Sequence, residues 1–510
     1  MRILVTVLLL ALFHAPVGAQ RPYGDSILRR LRLPDGPVAL LSVWDTVQYE
    51  ASFREVRFEV TPGDSAVATL VMGAGMPPRK PLVLFQHWGG GNRHYFDAEM
   101  AALARRGFLC LSLDAPWHWP TADTTADPLR EYPDHIQRSV RAVTRFLDWA
   151  GRQRGLVDID RIYFVGHSYG ATLGGLLLPA EPRIRAAVLM AGLPSLSRSM
   201  EEDPLGAWKT AKQNKRGMYD TALHRLSLME PERLIHLSPA AVFYQAATGD
   251  QYVPRRYSEE YIKAASPVKT AWYATDHLFV SDSAQRDRLA WILRQDSLTA
   301  ADARTARRLL ERAATAMGST DAARWARQEW AGKAEYFGAR GQVRQWREHW
   351  WLRLPDSVGV GSFHTTVHQP PHPDLELTPL EGYRVAGDTR ERLDSTAFDT
   401  ERRFYQLCWL SLCSPALAPG VQVQLPRLKS KASLAVRVLQ RPGPPVVIYI
   451  DEASGLPTAL GSEDRRGDLL LRLDGYAPAA GGLRPKRLRL YRNEGMELLR
   501  TLRLDTIVLR

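Results

Sequence analysis

The chain has 510 residues, which is too long for one ordinary hydrophobic core and allows up to about three domains. Hydrophobic residues make up 45% of it and charged residues 24%, the ordinary balance of a soluble globular protein. The formal net charge of +12 is spread along the chain without a long basic run, so we expect no nucleic-acid partner.

The first twenty residues, MRILVTVLLLALFHAPVGAQ, have the pattern of a secretory signal peptide. Arg2 precedes an apolar run from Ile3 to Phe13, and small residues before Gln20 predict cleavage after Ala19, so that residues 1–19 are removed. The run is too short to span a bilayer of about 30 Å. The alternative is an uncleaved, membrane-anchoring N-terminus. We expect an exported protein, periplasmic or extracellular, with no membrane span in the mature chain.

Alternating and apolar segments then follow in chain order. Segments 53–60 and 66–72 alternate and predict an antiparallel strand pair. Six apolar runs predict buried strands at 81–87, 107–114, 161–166, 184–192, 240–250 and 268–275. Helical patterns between them, at 95–106 and 133–154, indicate a mostly parallel, doubly wound sheet covered on both faces. The polar interval 193–238 contains no strand pattern and predicts a small helical insertion or lid.

The pattern changes near residue 297, which predicts an α/β domain over 20–297 and a smaller α+β domain over 298–510. A long helical pattern, 296–317, is followed by alternating strands with short Gly, Pro or Asn turns at 334–354, 432–461, 467–476, 484–493 and 497–509. Cys110 lies in an apolar run and is a core residue. Cys408 and Cys413 are five residues apart, so a disulfide between them would need an intervening turn.

The stretch RIYFVGHSYGATLGG contains a Gly-x-Ser-x-Gly motif centred on Ser168. An apolar strand runs into Gly166, and a helix rich in small residues leaves Gly170. This strand–turn–helix arrangement lifts a serine hydroxyl above the sheet edge and aims a helix N-terminus at it. The motif therefore predicts Ser168 as a nucleophile, whereas the alternative is a serine in an ordinary glycine-rich turn.

A nucleophilic serine needs a base and an acid that orients the base. Asp250 and His277 follow two consecutive predicted strands, so both are expected at the same sheet edge as Ser168. Asp276 adjoins the histidine, and Asp114 precedes the serine in the chain, which makes both weaker acids for this role. The alternative is that Asp250 is a turn residue and His277 a surface residue.

Three consecutive glycines in QHWGGGN, 86–92, follow the first buried strand. They allow backbone N–H groups to turn toward a substrate oxygen, with the N–H of Tyr169 as the second donor of an oxyanion hole. A simple tight turn is the alternative. His364, His368 and His372 have helical spacing, but Pro370 and Pro371 break a helix between them, so we expect no metal site.

Residues 50–295 resemble the α/β-hydrolase superfamily, in particular its dienelactone-hydrolase-like and acetyl-xylan-esterase-like bacterial branch. The resemblance lies in VLFQHWGGGN, ARRGFLCLSLDAPWH, DIDRIYFVGHSYGA, GDQYVP and DHLF. It implies Ser168 as nucleophile, His277 as general base, Asp250 as its orienting acid and Gly89 as the first oxyanion donor. Two departures stand out: dienelactone hydrolases use a cysteine nucleophile, and the usual His-Gly dipeptide is His87-Trp88 here.

Residues 300–510 are faintly similar to outer-membrane lipoprotein-sorting (LolA-like) domains, through LLERAATAMGS, IYIDEASGLPTAL and the terminal strands. Such half-barrels have a concave apolar face, so the resemblance implies a lipid or acyl ligand. The alternative is a β-rich accessory domain that only packs or tethers.

The sequence as a whole predicts an exported serine esterase that needs no cofactor or metal and acts on a small-molecule ester. Two alternatives stay open. One is a catalytically silent lipid-binding or carrier protein of the cell envelope. The other is a thioesterase, peptidase or acyltransferase that uses the same three residues, since fold and triad leave the leaving group undefined.

Overall fold

A computed structural model describes residues 27–28, 31, 40–73, 79–122, 125, 127–152, 155–204, 206–320, 327–337, 342–353, 363–367, 374–377, 381–417, 421–426, 434–439, 445–462, 468–479, 482–492 and 497–509. The chain divides into two compact units, Met1–Thr299 and Ala300–Arg510, called here the N-terminal and C-terminal units. No helix in the described residues is both long and apolar enough to cross a membrane.

The N-terminal unit is built on a nine-stranded sheet in the order β1-β2-β3-β5-β4-β6-β7-β8-β9. Its strands are β1 Leu40–Gln48, β2 Ala51–Thr61, β3 Asp64–Gly73, β4 Lys80–Gln86, β5 Leu109–Leu113, β6 Val157–His167, β7 Ala186–Met190, β8 Ala241–Ala247 and β9 Lys269–Tyr273. The first three are antiparallel, and β4 to β9 are mutually parallel. The predicted antiparallel pair and parallel strands are confirmed, whereas the edge strand β1 was not predicted.

Helices separate the parallel strands of the N-terminal unit. They are α1 Asp97–Ala104, α2 Pro128–Arg152, α3 Tyr169–Ala180 and α8 Arg255–Ala265, and the helix α9 Asp282–Ala316 follows the last parallel strand. Strands β4, β5, β7 and β8 are buried along their whole length, since two apolar clusters lie on the two faces of the sheet. A doubly covered parallel sheet brings all its strand C-termini to one edge, where sites form in such folds.

The interval between β7 and β8 is helical, and its role as an insertion or lid stays a prediction. It contains α4 Leu196–Glu202, α5 Lys209–Asn214, α6 Arg216–Ser227 and α7 Pro231–Leu234, followed by a 3₁₀ turn. The buried carboxylate of Glu230 holds the start of α4, because it accepts hydrogen bonds from the backbone N–H groups of Leu196 at 2.6 Å and Ser197 at 3.1 Å. Arg198 on α4 also pairs with Glu260 on α8. These contacts anchor α4 to the unit.

The C-terminal unit contains a thirteen-stranded sheet that is antiparallel throughout, in the order β15-β14-β13-β12-β11-β10-β22-β21-β20-β19-β18-β17-β16. Its strands are β10 Arg327–Phe337, β11 Val343–Arg353, β12 Phe363–Val367, β13 Asp374–Leu377, β14 Gly382–Ala386, β15 Thr389–Arg392, β16 Gln422–Gln424, β17 Leu434–Leu439, β18 Val446–Ile450, β19 Pro457–Ser462, β20 Leu469–Ala479, β21 Gly482–Arg492 and β22 Glu497–Leu509.

The predicted β-rich antiparallel character of the C-terminal unit is confirmed. Strands β12 to β16 and the helix α10, Ser395–Leu410, were not predicted. Helix α10 contributes to an apolar cluster with one face of the sheet. Cys408 and Cys413 both lie buried in this cluster as free thiols, and Cys110 is a buried free thiol of the N-terminal unit. The LolA-like character of this unit stays a prediction.

A buried ion pair lies inside the C-terminal unit. Arg500 on β22 donates to both carboxylate oxygens of Glu348 on β11, at 2.9 and 3.0 Å. Glu348 also accepts hydrogen bonds from Tyr336 and from the indole N–H of Trp350. The rings of Tyr336 and Phe404 lie 4.2 and 4.5 Å from the Arg500 guanidinium carbon. Four hydrogen bonds and two aromatic faces therefore compensate the desolvated charges of Glu348 and Arg500.

Removing one partner of this pair leaves the other charge buried in the core without a counter-charge. We expect Arg500→Met to lower the free energy of unfolding by about 3–5 kcal/mol, since Glu348 stays buried without its counter-charge. The double variant Glu348→Gln/Arg500→Met is expected to regain much of that loss. Arg489→Met is the matched control, because Arg489 pairs with Asp474 near the surface, where such a pair contributes at most about 1 kcal/mol. Urea denaturation measures all three, and equal losses in the two single variants would contradict this account.

Candidate active site

The loop from β6 to α3 holds Ser168 in a strained conformation at the C-terminal edge of the sheet. Ser168 has φ 53° and ψ −105°, a region that L-residues rarely occupy. A Cβ on Gly166 would lie 2.4 Å from the carbonyl oxygen of Gly170, and a Cβ on Gly170 would lie 2.1 Å from the carbonyl oxygen of Gln86. Both motif positions therefore require glycine, because backbone segments pass too close for any side chain.

Hydrogen bonds from neighbouring strands fix this turn. The N–H of Ser168 donates to the Met190 carbonyl at the end of β7, at 2.7 Å, and the N–H of Gly170 donates to the His87 carbonyl after β4, at 3.2 Å. Helix α3 begins directly after the serine, so its N-terminal partial positive charge lies beside the hydroxyl. The predicted strand–turn–helix geometry is present at Ser168.

The structure brings the three predicted residues together in one hydrogen-bonded chain. The Nε2 atom of His277 lies 2.9 Å from the Oγ of Ser168. Its Nδ1 atom lies 2.8 and 3.0 Å from the two carboxylate oxygens of Asp250. A carboxylate only accepts hydrogen bonds, so Nδ1 carries the proton and Nε2 is free to accept the serine proton. The arrangement has the nucleophile, base and orienting acid that acyl transfer needs.

Asp250 is held so that its carboxylate faces the histidine. One of its oxygens accepts hydrogen bonds from the N–H groups of Tyr252 and Val253, both at 2.8 Å. The side chains of Asp250 and His277 are nearly fully buried. Water therefore competes little for their hydrogen bond, which strengthens the orientation of the imidazole ring.

The rival acids have other partners. Asp114 accepts a hydrogen bond from the Arg93 N–H at 2.8 Å and forms an ion pair with its guanidinium at 2.5 Å, which fastens the loop after β4 to the end of β5. The carboxylate of Asp276 is exposed and accepts from the N–H of Leu278. Of the acids weighed from the sequence, Asp250 contacts His277.

The loop after β4 is fixed by the imidazole of His87. Its Nδ1 contacts the Trp88 carbonyl at 2.6 Å, and its Nε2 accepts the Ala115 N–H at 3.2 Å. Nδ1 is therefore protonated and the ring is neutral, and burial lowers the His87 pKa accordingly. Because N–H and C=O point in opposite directions across a trans peptide, fixing the Trp88 carbonyl also fixes the direction of the Gly89 N–H.

Gly89 and Tyr169 are the two predicted oxyanion donors. In the described part of the chain, neither backbone N–H donates a hydrogen bond. Tyr169 is the first residue of α3, where helical N–H groups have no partner within the helix. Both amides are thus free to serve a substrate oxygen, and their role stays a proposal.

The bulky Trp88, which departs from the family pattern, folds back over the glycines that follow it. A Cβ on Gly90 would lie 2.4 Å from the indole ring, and one on Gly91 would lie 2.9 Å from the indole nitrogen. The indole also meets the His277 ring edge-on, with 6.5 Å between ring centroids. The second and third glycines of the loop therefore make room for the tryptophan.

His167, which precedes the nucleophile, is a site residue that the sequence reasoning missed. It is fully buried, and its Nε2 donates to the His277 carbonyl at 2.7 Å. Burial lowers its pKa to about 3, so it stays neutral near pH 7. Its position inside the motif was a signal for a role at the site. Its partner could not be predicted, because the contact joins residues 110 positions apart.

No group of three or more His, Cys, Asp or Glu side chains in the described residues is arranged to hold a metal ion. His94 instead contacts Asp97 at 3.1 Å, and His118 lies beside the His87 ring. His364 lies on β12, whereas His368 and His372 lie outside the described residues.

The solved structures to which this chain is similar include two acetyl xylan esterases and a putative dienelactone hydrolase. An acetyl xylan esterase from a Paenibacillus species has a TM-score of 0.45 and 17% identity, over 54% of this chain and 93% of that one. Acetyl xylan esterase 1 from a Thermoanaerobacterium species has a TM-score of 0.43 and 15% identity, over 55% and 99%. A putative dienelactone hydrolase from Klebsiella pneumoniae has a TM-score of 0.36 and 15% identity, over 51% and 99%.

No curated protein matches the sequence. A family model described as alpha/beta hydrolase fold matches residues 81–330. That range includes the parallel strands β4 to β9, the turn at Ser168, and both Asp250 and His277. On this match and on its sheet topology, the N-terminal unit has an α/β-hydrolase fold.

Proposed function

We propose that the protein is a serine hydrolase that cleaves carboxylic esters through an acyl-enzyme on Ser168. The observation that carries the proposal is the hydrogen-bonded chain from the Ser168 hydroxyl through His277 to the Asp250 carboxylate. The position of this chain at the C-terminal edge of a parallel sheet, on a strained turn, supports the same conclusion.

In the proposed reaction, the Ser168 oxygen attacks the ester carbonyl carbon while Nε2 of His277 takes the hydroxyl proton. The carbonyl electrons move to the oxygen, and the N–H groups of Gly89 and Tyr169 donate to that oxyanion. The tetrahedral intermediate collapses, the C–O bond to the alcohol breaks, and His277 returns its proton to the leaving alcohol. Water, deprotonated by His277, then attacks the acyl-serine and releases the acid.

Two other functions are possible for this fold: a silent carrier, and hydrolysis of a different acyl bond. A silent carrier would leave the strained Ser168 turn and the buried Asp250–His277 contact without a use. Amides would use the same residues but have a poorer leaving group than esters, and thioesters, which have a better one, are the second substrate class open to the same triad. Export after removal of residues 1–19 also stays a proposal.

Replacing Ser168, His277 or Asp250 should abolish turnover of the ester. We expect Ser168→Ala and His277→Gln to lower kcat/KM for p-nitrophenyl acetate at least about a thousandfold, and Asp250→Asn to lower it by a similar factor through the wrong imidazole tautomer. Asp276→Asn is the matched control, because this neighbouring carboxylate is exposed and contacts only the backbone N–H of Leu278 in the described residues. Initial rates at pH 7.5 measure the effect. Retained activity in Ser168→Ala would contradict the proposal.

Apolar side chains line the loops that carry the acid and the base. Tyr252, Leu278 and Val280 are 44%, 36% and 84% exposed. The Tyr252 ring lies 4.9 Å from the His277 ring, between centroids. We call these three residues the apolar rim and propose, from their place on the loops of Asp250 and His277, that it contacts an apolar acyl group.

Polar substitutions on the rim should change acyl-chain preference more than chemistry. We expect Leu278→Ser/Val280→Ser to lower kcat/KM for p-nitrophenyl octanoate about tenfold and to leave p-nitrophenyl acetate nearly unchanged, because only the longer chain reaches the rim. Val268→Ser is the matched control. Val268 is 63% exposed but precedes β9, at the opposite end of the strand from His277. Equal losses on both esters would show that the rim does not contact the acyl chain.

A further inference from the structure

One face of the C-terminal sheet carries aligned basic side chains. The other face is buried, with Leu502 on β22 paired with Ala334 on β10 and Leu488 on β21. Because side chains alternate along a strand, the next residues point outward. Four of these outward residues stand directly opposite one another on four adjacent strands. We call them the basic row: Arg487 on β21, Arg503 on β22, Lys333 on β10 and Arg347 on β11.

The basic row is exposed and only partly neutralised. All four residues are exposed. Arg347 pairs with Asp505 at 2.7 Å, whereas the other three make no ion pair within the described residues of the unit. Like charges that face each other on neighbouring strands destabilise a sheet. Stability of the fold therefore gives no reason for this alignment.

The acidic groups around the row have partners of their own. Asp474 stands opposite Arg487 but forms an ion pair with Arg489 at 2.7 Å. Glu335 accepts a hydrogen bond from the Gln345 amide at 2.9 Å. The row is consequently a narrow positive line, one residue wide, with Glu335 beside it and Asp474 at its end.

We propose that the basic row binds a linear acidic polysaccharide. Neighbouring strands are about 4.8 Å apart, so the four cations extend over about 14 Å, the scale of a few sugar units in a chain. A single-file anionic chain can cover the four cations without passing over Glu335, and Asp474 at the end of the row is neutralised by Arg489. The proposal does not depend on the hydrolase activity of the N-terminal unit.

Two other anionic partners fit less well. A membrane surface is a broad negative plane and would press against the neighbouring carboxylates as well as the row. Single-stranded nucleic acid binds where bases stack on aromatic side chains. No Phe, Tyr or Trp occupies the positions two residues along each strand from the row; those positions hold Pro485, Arg489, Thr501, Asp505, Ala331, Glu335, Gln345 and His349.

The test measures binding of the full-length Ser168→Ala protein to fluorescein-labelled polygalacturonate by anisotropy. We expect binding at 50 mM NaCl that weakens at least about tenfold at 300 mM, and no binding to uncharged dextran. Lys333→Gln/Arg503→Gln should weaken binding about tenfold or more at 50 mM. Its thermal midpoint should not fall, since the substitutions relieve like-charge contacts. Lys333→Gln/Arg487→Gln provides a second variant should the first be unstable.

The matched control is Lys209→Gln/Lys263→Gln, which removes the same charge from exposed positions of the N-terminal unit. Unchanged binding in this control supports the proposal that the basic row is the binding site. Equal weakening in the control and the row variant would overturn the proposal, because binding would then follow net charge alone. Equal or tighter binding of single-stranded DNA, or binding to phosphatidylglycerol vesicles without binding to polygalacturonate, would also overturn it.

Discussion

The N-terminal unit depends on one close approach of backbone to backbone. Where β6 turns into α3, the chain comes so near to itself and to β4 that neither Gly166 nor Gly170 can carry a side chain. That contact forces Ser168 into a left-handed conformation and exposes its hydroxyl at the sheet edge. Hydrogen bonds to the ends of β4 and β7 offset the backbone strain at Ser168, so the flanking strands define where the hydroxyl lies.

The parallel sheet then supplies the remaining groups of the site. Asp250, His277 and the glycine loop each follow a different parallel strand, and these strands all end at one edge. Buried histidines connect the loops to one another: His87 joins the loop after β4 to the end of β5, and His167 joins the turn before Ser168 to the backbone of His277. Both are neutral because burial lowers their pKa values. These two histidine contacts are therefore uncharged hydrogen bonds, which act beside the Arg93–Asp114 ion pair that also holds the loop after β4.

The sequence predicted the groups whose signals are local. A motif of five residues predicts Ser168. Strand ends predict Asp250 and His277, because the C-terminal ends of parallel strands lie at one edge of the sheet in any strand order. The fold-back of Trp88 over Gly90 and Gly91 could not be predicted, since it depends on packing between a side chain and a loop. Strand β1 was missed because LLSVWDTVQ follows neither a clear alternation nor an apolar run.

In the C-terminal unit, alternation predicted the strands β20 to β22, but not which strands pair. The basic row exists only in the observed register, because Lys333 and Arg503 are about 170 residues apart in the chain and meet only across β10 and β22. The same holds for Arg500 and Glu348. Long-range pairing of this kind carries no signature in a single sequence.

The central claim is that Ser168 is an activated nucleophile. Reaction of the purified protein with a fluorophosphonate, followed by intact mass spectrometry and peptide mapping, tests it most directly. The account predicts one adduct per chain, located on the peptide that contains Ser168 and absent from Ser168→Ala. A folded wild-type protein that acquires no adduct, or an adduct on another serine that persists in Ser168→Ala, would contradict it.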